Sequence, residues 1–441
     1  MSGVANDSAM TALQDAFLTG LETAQQPAWL AQSRTSAMQG FIALGLPTRD
    51  DEAWRFTDLR PLFSAQGLPA PASAAGADPL QLATHRLAGE AHRIVLVNGR
   101  VAADLSSIGT LPKGAWLSSI SETIDLRPDL IQAAFEAEHR FGEQPFASLN
   151  AALFADGFVL ALEPGVVLEH PVEILHLSDA ADSQAYHVRN AILAGANSAA
   201  SVVETFVGSG PGWTNAVTTI DIGADAVIRH AKVQAEGAEA IHLAVTRARL
   251  ADAADYDSFS LITGARLSRQ DIQVMIAGEA ATVQINAAYL LRNDQEATIA
   301  PAVDHQAKGG HTKELLKGVL TDRAHGVFLG SVMVREGADG TDARQLNRNL
   351  LASPTARVDT KPELTIHADE VKCSHGATVG DLDETALFYL ESRGIDPASA
   401  RAMLIDAFAA EVLEVAALAP DIDAHARRYL AAWLEHDGAA A

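Results

Sequence analysis

Ile192-Leu193-Ala194-Gly195-Ala196-Asn197-Ser198, Ile220-Asp221-Ile222-Gly223-Ala224-Asp225-Ala226, Arg249-Leu250-Ala251-Asp252-Ala253-Ala254 and Ile276-Ala277-Gly278-Glu279-Ala280-Ala281 are versions of one phrase. Each reads as a strand end, a corner of small residues and the start of a second strand. The corner residues Gly195, Gly223, Ala251 and Gly278 follow one another at a nearly constant spacing, and Gly165 marks an earlier corner at a slightly longer step. A fixed period of this size means units that bury their faces only by stacking on one another. After the Gly195 corner, Val202, Glu204 and Phe206 alternate with Val203, Thr205 and Val207, a period of two that belongs to strands and not to the helical pairs of other solenoids. The repeat therefore predicts a mainly β chain whose core is a β-helix, with a β-sandwich of evenly spaced hairpins as the alternative.

Outside the repeat the period changes. Residues 10–23 and 27–44 carry apolar residues at steps of three and four, with Pro27 near a helix start, and Pro47 breaks the pattern. Residues 68–77, rich in Ala, Pro and Gly, read as a linker, after which Ile94, Leu96 and Asn98-Gly99 read as a strand entering a turn. At the other end Asp383 can cap a helix that runs through Leu390 and stops at Gly394. Asp396-Pro397 opens a second helix, with Ala400, Leu404, Phe408, Val412 and Val415 on one stripe, and residues 424–434 form a third. These helices are expected to cover the open end of the solenoid, where an uncapped stack exposes unpaired strand edges; a docking surface is their alternative use. The expected organisation is an N-terminal helical domain with a short β segment over 1–145, a β-helix over 146–380 and a C-terminal helical segment over 381–441.

Charge and cysteine content narrow the function. With 56 acidic against 32 basic side chains the formal charge is -24, so the average surface field repels a phosphate backbone and nucleic acid is excluded as a partner. The single cysteine, Cys373, excludes an internal disulfide framework and a self-sufficient site of four thiolates. The N-terminus carries no basic stretch followed by an apolar one, and no run of 18 apolar residues escapes a charged or His residue. A cytoplasmic chain with no membrane partner is expected. There is no phosphate-binding loop ending in Lys-Ser or Lys-Thr, no Gly-x-Ser-x-Gly elbow and no His-Glu-x-x-His, which argues against an unaided enzyme. Gly208-Ser209-Gly210-Pro211-Gly212 lacks the spacing for a dinucleotide and reads as a turn.

One constellation remains, Val371-Lys372-Cys373-Ser374-His375-Gly376. On an extended strand Cys373 and His375 project from the same face, so a thiolate and an imidazole could meet one iron or cluster. From spacing alone the bland reading, a small buried hydrophobe beside a hydrogen-bonded histidine, carries more weight. His305, His311, His325 and His367 are weaker candidates.

The segment Lys361-Pro362-Glu363-Leu364-Thr365-Ile366-His367-Ala368-Asp369-Glu370-Val371-Lys372-Cys373-Ser374-His375-Gly376-Ala377-Thr378-Val379-Gly380 closely resembles the C-terminal core signature of the SufD branch of the SufB/SufD family, and Leu387-Phe388-Tyr389-Leu390-Glu391-Ser392-Arg393-Gly394-Ile395 continues it. Val303-Asp304-His305, Glu314-Leu315-Leu316-Lys317-Gly318-Val319-Leu320 and Gly326-Val327-Phe328-Leu329-Gly330 look like the preceding part of that core. Glu52-Ala53-Trp54-Arg55-Phe56-Thr57-Asp58-Leu59 resembles the N-terminal motif. Cys373-Ser374-His375-Gly376 is the SufD form; the SufB form places Glu-His-Glu-Ala there.

The resemblance implies a right-handed parallel β-helix between two helical regions. It implies a non-catalytic scaffold for iron-sulfur cluster assembly whose partners are a SufB paralogue, joined through the β-helix, and the SufC ATPase, with a homodimer as the state of the chain alone. His375 matches the family histidine at the interface where the nascent cluster is built, and Cys373 its neighbouring cysteine. No cofactor is expected to be stably bound by the chain alone, only a transient iron-sulfur cluster or iron in the complex. Phe388, Tyr389, Arg393, Gly394, Leu404 and Phe408 are the expected ATPase-docking residues. Family members commonly carry Pro-His after the His305 position, whereas here the loop reads Lys308-Gly309-Gly310-His311. Two other classes are weighed: a structural β-helix subunit that ligates no metal, and a polysaccharide-active β-helix enzyme, which would need clustered carboxylates in a groove.

Overall fold

The computed structural model describes residues 10–438 apart from 12, 16, 20–25, 61, 63–81, 139, 180–183 and 417. The period-two segments form long strands that alternate between two sheets, one of ten strands and one of nine, and within each sheet strands two apart in sequence lie side by side. From the strand Phe158–Leu162 onward every named neighbour pair along the nine-stranded sheet is parallel and in continuous register, as in Ile241↔Leu267 through Leu250↔Ile276. This is a parallel β-helix. It buries apolar residues on both strand faces, because the coil interior lies on one side and helices pack on the other.

The repeated corners stack as the sequence predicts. Ala194↔Ile222 and Ile222↔Leu250 fix Gly195, Gly223 and Ala251 at one level of successive coils. Ala277 and Gly278 together face Ala251, since both their backbone N–H groups donate to the Leu250 carbonyl at 3.0 Å. The left-handed residue of each corner comes two positions after its first: Asn197 (φ 59°), Asp225 (φ 56°) and Ala253 (φ 52°). Gly165 (φ 78°) belongs to that second set, because Leu162↔Ala194 places it level with Asn197 and not with Gly195. The early corner is therefore offset by two residues from the expected one.

The interior is mainly apolar, running from Ile94 and Val172 through Ile228, Tyr256 and Ile285 to Phe328. A buried polar knot interrupts it: the Glu204 carboxylate meets His230 Nε2 at 2.8 Å, His176 Nε2 at 3.4 Å and Asn190 Nδ2 at 3.0 Å, with Lys232 beside it. Outside, helices of the N-terminal part lie on the nine-stranded sheet, whereas Leu82 and Leu87 pack on the ten-stranded one. Helix Pro145–Leu153 sets Phe146 and Leu149 against Trp213, Ile241 and Leu243. The motif around Trp54 is clamped there too, with the Arg269 guanidinium 3.8 Å from the Trp54 ring centroid and donating to the Ala53 carbonyl at 2.8 Å. Helix Ala28–Leu44 begins directly after Pro27, as expected. The expected helix over 10–23 is seen at 10–11, 13–15 and 17–19, its remainder and the linker at 68–77 lying outside the described residues.

The C-terminal helices Glu384–Ser392, Pro397–Val415 and Pro420–Gly438 do not cover the end of the coil. They fold back along the ten-stranded sheet, where Ile405, Ala409, Val412 and Trp433 join Val203, Val233, Phe259, Leu261 and Leu290 in one apolar cluster. That outward strand face is too apolar to stand in water, so the helices bury it and leave the terminal edges bare. No helix among the described residues is long and apolar enough to cross a membrane.

Candidate functional site at the open end of the β-helix

The two ends of the solenoid differ. At the first coil, the strands Arg100–Val101 and Ala115–Ser119 add on antiparallel and close both sheets. At the other end the outermost strands are Arg357–Ile366 and Lys372–Gly380, each paired on one side only within the described residues. Both parallel edges are thus free to pair with another chain. Ile366 and Val379, exposed at 40% and 52%, supply apolar surface beside these edges.

Cys373 and His375 sit on the last strand and share its inward-pointing side, level with Ala343 and Gln345 of the strand before. Cys373 is half-buried against Val332, Val334, Ala338 and Ala343. Burial pushes its thiol above the ordinary value, with the Asp342 charge acting in the same direction and a hydrogen bond at Ala343 opposing, so at neutral pH it is a thiol and not a thiolate. His375 is exposed. The structure thus joins these two on one face of one edge.

It does not bring in the weaker candidates. His305 is buried inside the coil, its Nε2 2.9 Å from Thr312 Oγ1, and burial holds its pKa down to about 4. His325 has its Nε2 2.7 Å from Asp359. His311 is exposed at a strand start, and His367 is exposed on the turn between the last two strands. Among the described residues, no three of His, Cys, Asp and Glu are arranged to hold a metal ion. Cys373 and His375 by themselves supply two donors, fewer than a metal ion or cluster takes.

The expected docking residues divide. Phe388 and Tyr389 are 72% and 56% exposed on a helix that buries none of its residues. The Arg393 guanidinium lies 5.0 Å from the Tyr389 ring centroid, and Gly394 ends that turn with φ 86°. Leu404 and Phe408 instead pack against the sheet cluster, while Met403 of the same helix is left outside, 50% exposed.

Sequence reasoning misses a buried pair beneath His375. Glu314, Gln345 and His375 are consecutive partners across three parallel strands. Gln345 Nε2 donates to Glu314 Oε2 at 2.8 Å, both residues being 2% exposed. Burial pushes the Glu314 carboxyl up to about 7, the hydrogen bond from Gln345 opposing. The only signal in the chain is that positions 314, 345 and 375 recur with nearly the solenoid period, since the same column holds His230 and Ser258 in earlier coils and polarity there is not unusual.

Residues 176–408 match the core domain of SufBD proteins of the SUF system for FeS cluster assembly, and residues 16–174 match the SufBD N-terminal region. An iron-sulfur cluster assembly SufBD family protein of Synechocystis is 32% identical over 406 residues, 88% of each chain. The iron-sulfur cluster assembly protein SufD of Escherichia coli is 32% identical over 383 residues, 86% of this chain and 87% of that one. SufD of Bacillus subtilis is 26% identical over 415 residues, 89% of this chain and 91% of its own length.

Proposed function

This chain belongs to the SufBD family of iron-sulfur cluster assembly proteins, and from that premise we propose that it is a SufD-like, non-catalytic, cytoplasmic scaffold subunit that works with a SufB paralogue and the SufC ATPase. The bare terminal strands carry this assignment. A SufB β-helix docking edge to edge on Arg357–Ile366 and Lys372–Gly380 continues both sheets and satisfies their free backbone groups. The same contact brings the partner's side chains to His375 and Cys373, where iron and sulfide, the cargo of the reaction, are joined. His375 is the ligand on this side, its exposed imidazole ready to bind, and Cys373 the lesser contributor, because its thiol is held protonated. The exposed ring pair Phe388 and Tyr389, with Arg393 and Gly394, forms the ATPase contact. Leu404 and Phe408 support it from behind by anchoring the helix to the sheet. In the absence of the paralogue, the same edges pair two copies of this chain.

Co-expression with SufB and SufC, followed by iron and sulfide quantitation on the purified complex, tests the assignment. The wild-type chain should co-purify with both partners and the complex should accumulate iron and sulfide. A His375→Ala complex that assembles normally yet holds wild-type amounts of both would favour the structural subunit that ligates no metal.

A further inference from the structure

Inside the coil, Glu314, Gln345 and His375 stand one above another at the spacing of parallel strands, roughly 4.8 Å per step. Gln345 spends one amide hydrogen on Glu314 Oε2. Its carbonyl oxygen, Oε1, is buried and accepts no hydrogen bond, although an unpaired buried acceptor is a costly state. The amide has little freedom to turn elsewhere. A Cβ at position 330 would stand 2.3 Å from Gln345 Nε2, so only Gly330 leaves the amide its place. The next polar side chain outward in the column is the His375 ring. An imidazole that binds metal through one nitrogen carries its proton on the other, and the partner of that N–H decides which nitrogen faces the metal.

We propose that Gln345 positions His375 by accepting its imidazole N–H through Oε1, and that Glu314 holds the Gln345 amide in the orientation that presents this oxygen. The proposal deepens the reading of His375 as the cluster-facing residue and rests on it. It makes Gln345 and Glu314 positioning residues, neither touching the cargo. Both side chains are buried within the coil, so their polarity adds nothing to surface solubility.

The test uses the full chain alone, labelled with 15N-histidine, with the ring signals of His375 identified by their loss in His375→Ala. With its ring neutral, wild-type His375 should hold one tautomer. Gln345→Leu should move the tautomer ratio roughly fivefold or more toward that of free imidazole. Glu314→Leu should do the same by releasing the amide, while Glu314→Gln, which keeps an acceptor for Gln345 Nε2, should hold the wild-type ratio. Thermal midpoints taken alongside separate loss of fold from loss of positioning, and the two leucine variants are independent routes to one result. An unchanged His375 ratio in a folded Gln345→Leu or Glu314→Leu chain overturns the proposal. A shifted ratio together with wild-type iron and sulfide in the co-expressed complex leaves positioning intact and overturns instead the reading of His375 as ligand.

Discussion

Lys317 Nζ donates to the backbone carbonyl of Phe408 at 2.9 Å and stands 4.2 Å from the centroid of its ring. Lys317 projects from the outward face of its strand and is almost wholly buried, with Glu411 as its counter-charge. This one ammonium ties the helix Pro397–Val415 to the sheet and explains why Phe408 faces the solenoid and not solvent. Lys317→Ala should cost about 1.5 to 3 kcal/mol in urea unfolding, the range for a hydrogen bond to a charged group. Amide exchange should rise first in that helix. A loss below about 0.5 kcal/mol, the floor for a net intramolecular hydrogen bond, would show the pair to be incidental.

The packing of those helices also decides how docking can be probed. Removing everything after Gly380 would uncover Val203, Val233, Leu261 and Leu290, so truncation should cause aggregation and not a clean loss of partner binding. Phe388→Ala with Tyr389→Ala removes exposed rings only. The double variant should keep its thermal midpoint within about 1 °C and lose capture of the ATPase, read by co-purification. Undiminished capture would move the contact elsewhere.

His375→Ala should lower iron and sulfide in the co-expressed complex several-fold while the chain stays folded: losing the exposed ring itself costs little, and leaving Gln345 Oε1 without the N–H proposed for it adds at most about 1 to 3 kcal/mol. Cys373→Ser should have the smaller effect on cargo but a measurable one on stability, since Cys373 packs against Val332 and Ala343.

At Glu204, burial alone would raise the carboxyl pKa, but the imidazoles of His176 and His230 and the charge of Lys232 outweigh it and hold the group well below its ordinary value. Its contribution is therefore present above the ordinary value of 4.5 and lost as the pH falls below it. Glu204→Leu should cost about 3 to 5 kcal/mol at pH 7 because His176, His230 and Asn190 lose their shared carboxylate inside the coil and Lys232 is left with the Glu236 charge alone. Glu204→Leu with Lys232→Met, which removes both charges, should recover much of that in the same urea titration.

Glu314 has the opposite sign. Its folded pKa, about 7, lies above its ordinary 4.5, so between those values the folded chain holds more protons than the unfolded one and stability falls as pH rises. Glu314→Gln removes that slope. The stability difference, variant minus wild type, should grow from pH 5 to pH 8, measured by urea unfolding at each pH. A flat difference would mean that the carboxyl is not shifted.

The repeat of small-residue corners favours, without a structure, a β-helix over a β-sandwich of evenly spaced hairpins, and the coils then stack as the repeat predicts. A corner repeated at so constant a spacing demands coils of equal length, and alternation between corners demands strands. Gly278 shows why the residue type is so constrained: a Cβ there would lie 2.1 Å from backbone atoms of Ala251 and Asp252 in the coil below. Cys373 and His375 are equally legible, because a spacing of two on any strand puts both on one face. Three things are decided only by the tertiary structure. The level of Gly165 among the corners is one, since register depends on which backbone groups meet across coils. The C-terminal stripe is another: it reads as a cap, but its destination depends on the apolar outward face of a distant sheet, including Val203 and Leu290, which alternation within each strand cannot distinguish from an interior face. And Glu314, Gln345 and His375, each a full coil from the next along the chain, become neighbours only because parallel coils bring equivalent positions together, a relation set by inter-strand hydrogen bonds and not by any local preference of the residues.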